Sequence, residues 1–239
     1  MNDDFSVTPA SAFATTTVAG AERVTAFLRK VYGWMAVGLG TTAVVAYTVA
    51  SSPALLQTIF GNRMVFFGLV IAELGLVFYL SARVNRMAPG TAAGLFLLYS
   101  ALNGATIAGI LLLFTGASVA TTFVVTAGMF GALALYGSTT RRSLAGVGQF
   151  VFMGLIGVVL ASVVGMFWHS DALQFAISVV GVIVFTGLTA WDAQRLKQMA
   201  VATPEGQTGS FAVVGALALY LDFINLFLFL LRFLGGRRN

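Results

Sequence analysis

A chain of 239 residues is long enough for one or two soluble domains, yet only 9% of it is charged, 59% is hydrophobic and mean hydropathy is +0.94. No charged residue occurs from Met87 to Thr140, which is more apolar surface than a soluble domain can bury, so the chain reads as a polytopic membrane protein. The absence of Cys excludes disulfides, thiol catalysis and cysteine metal sites, and the net charge of +5 sits in short links between apolar runs, which argues for membrane orientation and against nucleic-acid binding.

The opening MNDDFSVTPASAFATTT is polar and acidic and lacks the basic start and apolar centre of a signal peptide. Residues 1–22 are predicted to be a disordered tail, and 23–239 an all-α membrane domain of seven transmembrane helices. The apolar runs place the spans at 31–50, 64–82, 91–114, 118–136, 147–168, 173–192 and 211–234. Span two ends in the basic cluster ARVNRMAPG, where Pro89 and Gly90 mark a turn. The short links FTGAS and HSD predict antiparallel hairpins for spans three and four and for spans five and six. No internal repeat is visible, which disfavours an inverted-repeat transporter.

Nine Lys and Arg fall on the N-terminal side of these spans (Arg23, Arg29, Lys30, Arg83, Arg86, Arg141, Arg142, Arg195 and Lys197) and four on the other (Arg63, Arg232, Arg237 and Arg238). This imbalance places the N-terminus in the cytoplasm and the C-terminus outside. The 27 Gly fit close helix packing and the 21 Phe fit packing and lipid contact, neither of which marks a cofactor site.

Against this background the ionisable residues stand out, because a carboxylate at bilayer depth costs several kcal/mol. Asp192 closes a long apolar run in GLTAWDAQRLK, and Asp222 lies in the middle of LALYLDFINLFLFLLRFLG. Glu73 sits at the centre of span two, with Arg83 about 15 Å further along it at the inner end. Asn225 lies one turn after Asp222 on nearly the same face, and Asn103 adds an amide to span three. His169 and Asp171, in the outer turn WHSDA, read as loop residues and not as ligands. An inert interfacial role competes for Asp192, a helix-tying hydrogen-bond role for Asp222 and Glu73, and a simple inner-face anchor for Arg83.

Two acids brought close in a low dielectric cannot both ionise cheaply, and their titrations couple. Such a pair can share a proton, accept an arginine or offer oxygens to Ca²⁺, and the mutual exclusion of these states makes a switch. Spacing alone does not bring Asp192 and Asp222 together: depth counting leaves them roughly 16 Å apart along the membrane normal. They meet only if span six ends deeper than its apolar run, with AQRLKQM continuing the helix.

LALYLDFINLFLFLLRFLG resembles the last-helix signature of the Bax inhibitor-1 (transmembrane Bax inhibitor motif) family, and TAWDAQRLK its aspartate-x-glutamine motif at the end of helix six. LRKVYGWMAVGLGTTAVVAY is similar to its first helix, and FGALALYGSTTRRSLAGVGQF to the link between helices four and five in bacterial members. The resemblance covers the chain from about Arg23 onward. It implies a last helix surrounded by the other six, in a bacterial inner membrane, with Asp192 and Asp222 as a hydrogen-bonded proton sensor accompanying a pH-dependent calcium leak. It also implies that Arg83, or alternatively Arg86, pairs with Asp192 in the closed form, and that Glu73 lines the ion path with Asp222 and Asn225. Two departures are visible: Ser143 stands where relatives often carry aspartate, and Trp191 where tyrosine is usual.

The leading expectation is therefore a pH-gated cation leak with Asp192, Asp222 and Arg83 as the gate, no resident cofactor, and Ca²⁺ as the permeant or bound ion at the aspartates. The alternative is a non-transporting regulator that binds a membrane-anchored AAA protease, as some bacterial relatives do, through its N-terminal tail. A monomer among membrane lipids is expected. An aspartyl intramembrane protease is disfavoured, because LYLD replaces GxGD and the PAL motif is missing; no nucleotide loop, zinc motif or serine triad is present, so the chain is not expected to be an enzyme. A retinal protein is excluded by the lack of Lys in the last span.

Overall fold

The computed structural model describes residues 9–168 and 170–236, so His169, Arg237, Arg238 and the first part of the expected tail lie outside the described residues. No strand occurs among the described residues. Eight α-helices follow in order: α1 Pro9–Ala50, α2 Pro53–Phe60, α3 Arg63–Arg83, α4 Pro89–Leu111, α5 Gly116–Thr139, α6 Ala145–Phe167, α7 Asp171–Ala202 and α8 Thr208–Leu234. All but α2 are long and apolar enough to cross a membrane.

The breaks between helices are local chemistry. Ser52 caps α2 by accepting from the Leu55 N–H, with Pro53 in the first turn, where its missing donor costs nothing. Asn62 caps α3, Thr115 caps α5 and Ser170 caps α7 in the same way. Three expected boundaries are corrected. The segment expected to be disordered is helical from Pro9, with the proline in the first turn, where its missing N–H costs nothing. The link between spans one and two contains α2, too short to register as an apolar run. Above all, α7 continues past Asp192 to Ala202, because AQRLKQM is charged but strongly helix-forming.

Burial is graded across the bundle. Helix α8 has 67% of its most apolar window buried, whereas α3 has 11%. Helix α8 packs on α1, α4, α5 and α7 and more lightly on α3, while α6 packs principally on α7. Side chains such as Ile71, Phe78, Phe150 and Trp168 point out of the bundle, the orientation of lipid-facing groups. Helix α3, with few buried contacts, is the span held least firmly by protein packing.

Glycine sets two of the close approaches. A Cβ on Gly104 of α4 would come within 2.6 Å of the Thr42 carbonyl of α1, and one on Gly137 of α5 within 2.0 Å of the Ala190 carbonyl of α7. Backbones meet there because no side chain intervenes. Gly137→Ala is expected to destabilise by about 1–3 kcal/mol, whereas Gly131→Ala, with nothing within 4 Å of its Cβ position, leaves thermal unfolding in detergent unchanged.

Candidate functional site

Extension of α7 brings the aspartates together. Asp192 stands ten residues before Ala202, about 15 Å up the helix, and Asp222 fourteen residues after Thr208 on the antiparallel α8, about 21 Å. The remaining offset is short enough for two side chains to close, and the two carboxyl groups lie beside each other, close enough to share a hydrogen bond when one of them carries a proton. Such a bond needs a proton, since two carboxylates offer only acceptors. Both residues are buried, Asp222 at 4% exposure and Asp192 at 9%. No N–H or O–H of the described protein reaches Oδ2 of Asp222.

The cation beside the pair is Arg195, one turn further along α7. Its Nη1 lies 3.8 Å from Asp192 Oδ1, an ionic contact too long for a hydrogen bond. The guanidinium also lies 5.5 Å from the Trp191 ring centroid, so the tryptophan serves as a platform for Arg195. Arg83 is not at Asp192. It is exposed at the end of α3, 5.9 Å from the ring of Tyr79. The physical reason is helical phase: the α3 residues turned toward α7 and α8 are Val77 and Ser81, followed by Val84, and Arg83 lies off that face. Arg86 is exposed at the end of the short 3-10 turn Val84–Arg86.

Asp192 and Arg195 line a cavity of about 300 Å³ with Val77, Ser81 and Val84 on one wall and Phe211, Val214 and Ala218 on another. One wall is thus the least buried span and another the most buried. Among the described residues no third His, Cys, Asp or Glu joins the pair in a metal-holding cluster. Ca²⁺ takes six to eight oxygens, more than the two carboxyl groups supply by themselves.

Gln194, the glutamine of the aspartate-x-glutamine motif, fastens the α5–α6 link. Its Oε1 accepts from the Leu144 N–H at 2.8 Å, and its Nε2 donates to the Arg142 carbonyl at 2.9 Å. Lys197 donates to the Ser138 carbonyl at 3.1 Å, near the negative end of α5. Ser143 Oγ accepts from the Ala145 N–H at 3.4 Å, so the hydroxyl supplies an acceptor at the start of α6. Gln194→Ala leaves two backbone groups of the link without their partner. It is expected to cost about 1–3 kcal/mol, read as a lower midpoint in chemical unfolding.

Glu73 belongs to a second polar cluster. Its carboxylate accepts from Thr106 Oγ1 at 2.9 Å and from Asn103 Nδ2 at 3.2 Å. Tyr220 Oη donates to Asn103 Oδ1 at 3.0 Å and lies 2.6 Å from Thr42 Oγ1, which in turn lies 2.9 Å from the Ser100 carbonyl. Each hydroxyl has one proton, so with Tyr220 donating to Asn103, the Thr42 proton is shared between Tyr220 and Ser100. The amide of Asn103 is thereby oriented with its nitrogen toward the carboxylate. The cluster joins α1, α3, α4 and α8, and Asp222 is not part of it. Asn225 also points elsewhere: it donates to the Leu221 carbonyl at 2.8 Å and lines a separate cavity of about 370 Å³ with Gln174 and Arg232.

A polytopic helical membrane protein with two adjacent aspartates buried between its last two spans is the class defined by these features. The family model described as Inhibitor of apoptosis-promoting Bax1 matches residues 24–239, and the chain belongs to that family. Relatives include the inner membrane protein YbhL of Escherichia coli K12, 52% identical over 215 residues covering 89% of this chain and 92% of that one. A protein of Borreliella burgdorferi is 45% identical over 89% of this chain and 93% of its own. A membrane protein of Streptococcus pyogenes serotype M1 is 39% identical over 87% and 92%.

Proposed function

We propose that the protein is a pH-sensitive cation leak of the bacterial inner membrane, with Ca²⁺ as the permeant ion, the N-terminus in the cytoplasm and the C-terminus outside. The observation that carries this reading is the adjacent, buried pair Asp192–Asp222 at the edge of a cavity walled by the least buried span. With one proton shared, the pair keeps a single negative charge. Among the described residues Asp222 has no cation within ion-pair distance, and Asp192 has Arg195, so the charge rests on Asp192 and the proton on Asp222. The charge holds the guanidinium at the cavity. A second proton removes that charge, frees Arg195, and lets the cavity widen along α3 toward Glu73, eight residues or about 12 Å beyond Ser81.

The sign follows from the charges: flux is low at alkaline pH and rises as pH falls through the range in which the pair takes up its second proton. Arg195→Gln is expected to raise calcium flux in proteoliposomes at alkaline pH and to flatten its pH profile, while Arg83→Gln leaves both unchanged. The converse result would restore Arg83 as the gate partner implied by the family resemblance.

A second reading has one observation in its favour. Helix α1 runs for 42 residues, about 63 Å, far more than a hydrocarbon core of about 30 Å requires. Its projecting N-terminal part is a handle for a membrane-anchored AAA protease. Deleting residues 2–22 should abolish copurification with such a protease and leave flux intact.

A further inference from the structure

The link between α5 and α6 and the extended end of α7 border a further cavity, of about 330 Å³, apart from the two described above. Its lining includes Arg141, Arg142 and Lys197 together with Thr140, Ser143 and Gln198, and no acidic side chain. Among the described residues none of the three cations has a carboxylate within ion-pair distance. The volume falls in the range of about 300–1,000 Å³ found for small-molecule pockets. The floor is held in place by Gln194, which grips the backbone at Arg142 and Leu144. Three cations gathered around a preformed concavity without a counter-charge call for an anion.

The position selects the source of that anion. The link joins two membrane spans, so it lies at the membrane surface, on the arginine-rich side of the bundle. Leu135 and Tyr136 at the end of α5, and Val147 and Phe150 at the start of α6, are exposed apolar residues flanking the cavity. These surfaces accept acyl chains while the basic lining accepts a headgroup. We infer that this cavity is a binding site for the phosphate headgroup of an anionic phospholipid, held by Arg141, Arg142 and Lys197. Gln194 is two residues from Asp192 on the same helix, so an occupied site stiffens the segment of α7 that carries the proton-sharing pair.

The test uses the full-length protein in phosphatidylcholine membranes, with spin-labelled phosphatidylglycerol or spin-labelled phosphatidylcholine as the probe for the motionally restricted lipid. The wild type should select phosphatidylglycerol at least tenfold, each cation within reach adding about fivefold. The triple substitution Arg141→Gln, Arg142→Gln and Lys197→Gln should bring selectivity close to one. Lys197→Gln alone, a change at an exposed side chain whose folding is checked by thermal unfolding, should lose about fivefold. Arg83→Gln with Arg86→Gln, two basic residues outside the cavity, should lose little. The inference is overturned if the triple variant keeps the wild-type selectivity, or if the Arg83 and Arg86 pair loses as much, which is diffuse surface attraction. Displacement of the labelled lipid by millimolar inorganic phosphate overturns it as well, by assigning the site to a free anion. Because the readout is lipid selectivity, its success or failure is separate from that of the calcium leak.

Discussion

Asp222→Asn and Asp192→Asn are expected to move calcium flux in opposite directions. In Asp222→Asn the amide offers a permanent N–H to Asp192, in place of the proton proposed to sit on Asp222. Asp192 then keeps its charge and its contact with Arg195 over a wider pH range, and flux stays low where the wild type opens. In Asp192→Asn the carboxylate facing Arg195 is gone, and the guanidinium is free at every pH. Flux should then be high at alkaline pH and no longer respond to acid. A coupling of 1–3 kcal/mol between proton and gate is typical, so the two variants should differ roughly tenfold or more at alkaline pH. Proteoliposome flux measured across pH decides the matter. If both variants reproduce the wild-type profile, the aspartates hold helices together and do nothing else.

Tyr220→Phe is the second large effect. The Tyr220 hydroxyl is the joint of the Glu73 cluster, touching Asn103 and Thr42 from a fully buried ring. Its removal leaves Asn103 Oδ1 without that donor inside the bundle, at a cost of about 1–3 kcal/mol. The amide that orients toward Glu73 loses its fixed direction, so the carboxylate loses part of its hydrogen bonding as well. Thr42→Val should cost less, because the Ser100 carbonyl it contacts remains in its helix. The double variant should fall short of the sum of the two, since both substitutions break the same contact. Unfolding in detergent, compared across the three variants, measures the difference. Strict additivity would mean that the hydroxyl pair at 2.6 Å carries no energy of its own.

The architecture is legible because seven apolar runs are hard to mistake, and the aspartates are legible because ionisable groups in such runs are rare. What escapes is decided by rules other than hydropathy. The expected end of span six at Asp192 follows the apolar run, whereas the helix follows propensity and carries ten further residues, AQRLKQMAVA. Helix α2 is signalled by Ser52 before Pro53, a capping pattern that an apolar-run reading passes over. Arg195 as the partner of Asp192 is available from spacing, since a residue three positions on shares its face. The pairing implied by the family points to Arg83 instead. Gln194 has no such signal: its partners are backbone groups fifty and fifty-two positions away, which only the folded bundle supplies. Thr42 and Tyr220 are equally silent, because hydroxyls are common in membrane helices and their partners are set by packing. Asn225 shares the helical face expected for it, yet bonds back to its own helix, an option open to any amide in a span.

Tyr220 and Asp222 are two positions apart on α8 and therefore point about 200° apart around its axis. One meets α1 and α4, the other α7. A roll of this single rod that eases the tyrosine contact must press or withdraw the aspartate, so the two clusters trade tension without sharing an atom. Damage at Thr42 or Asn103 should accordingly shift the acid response from the far side of the bundle.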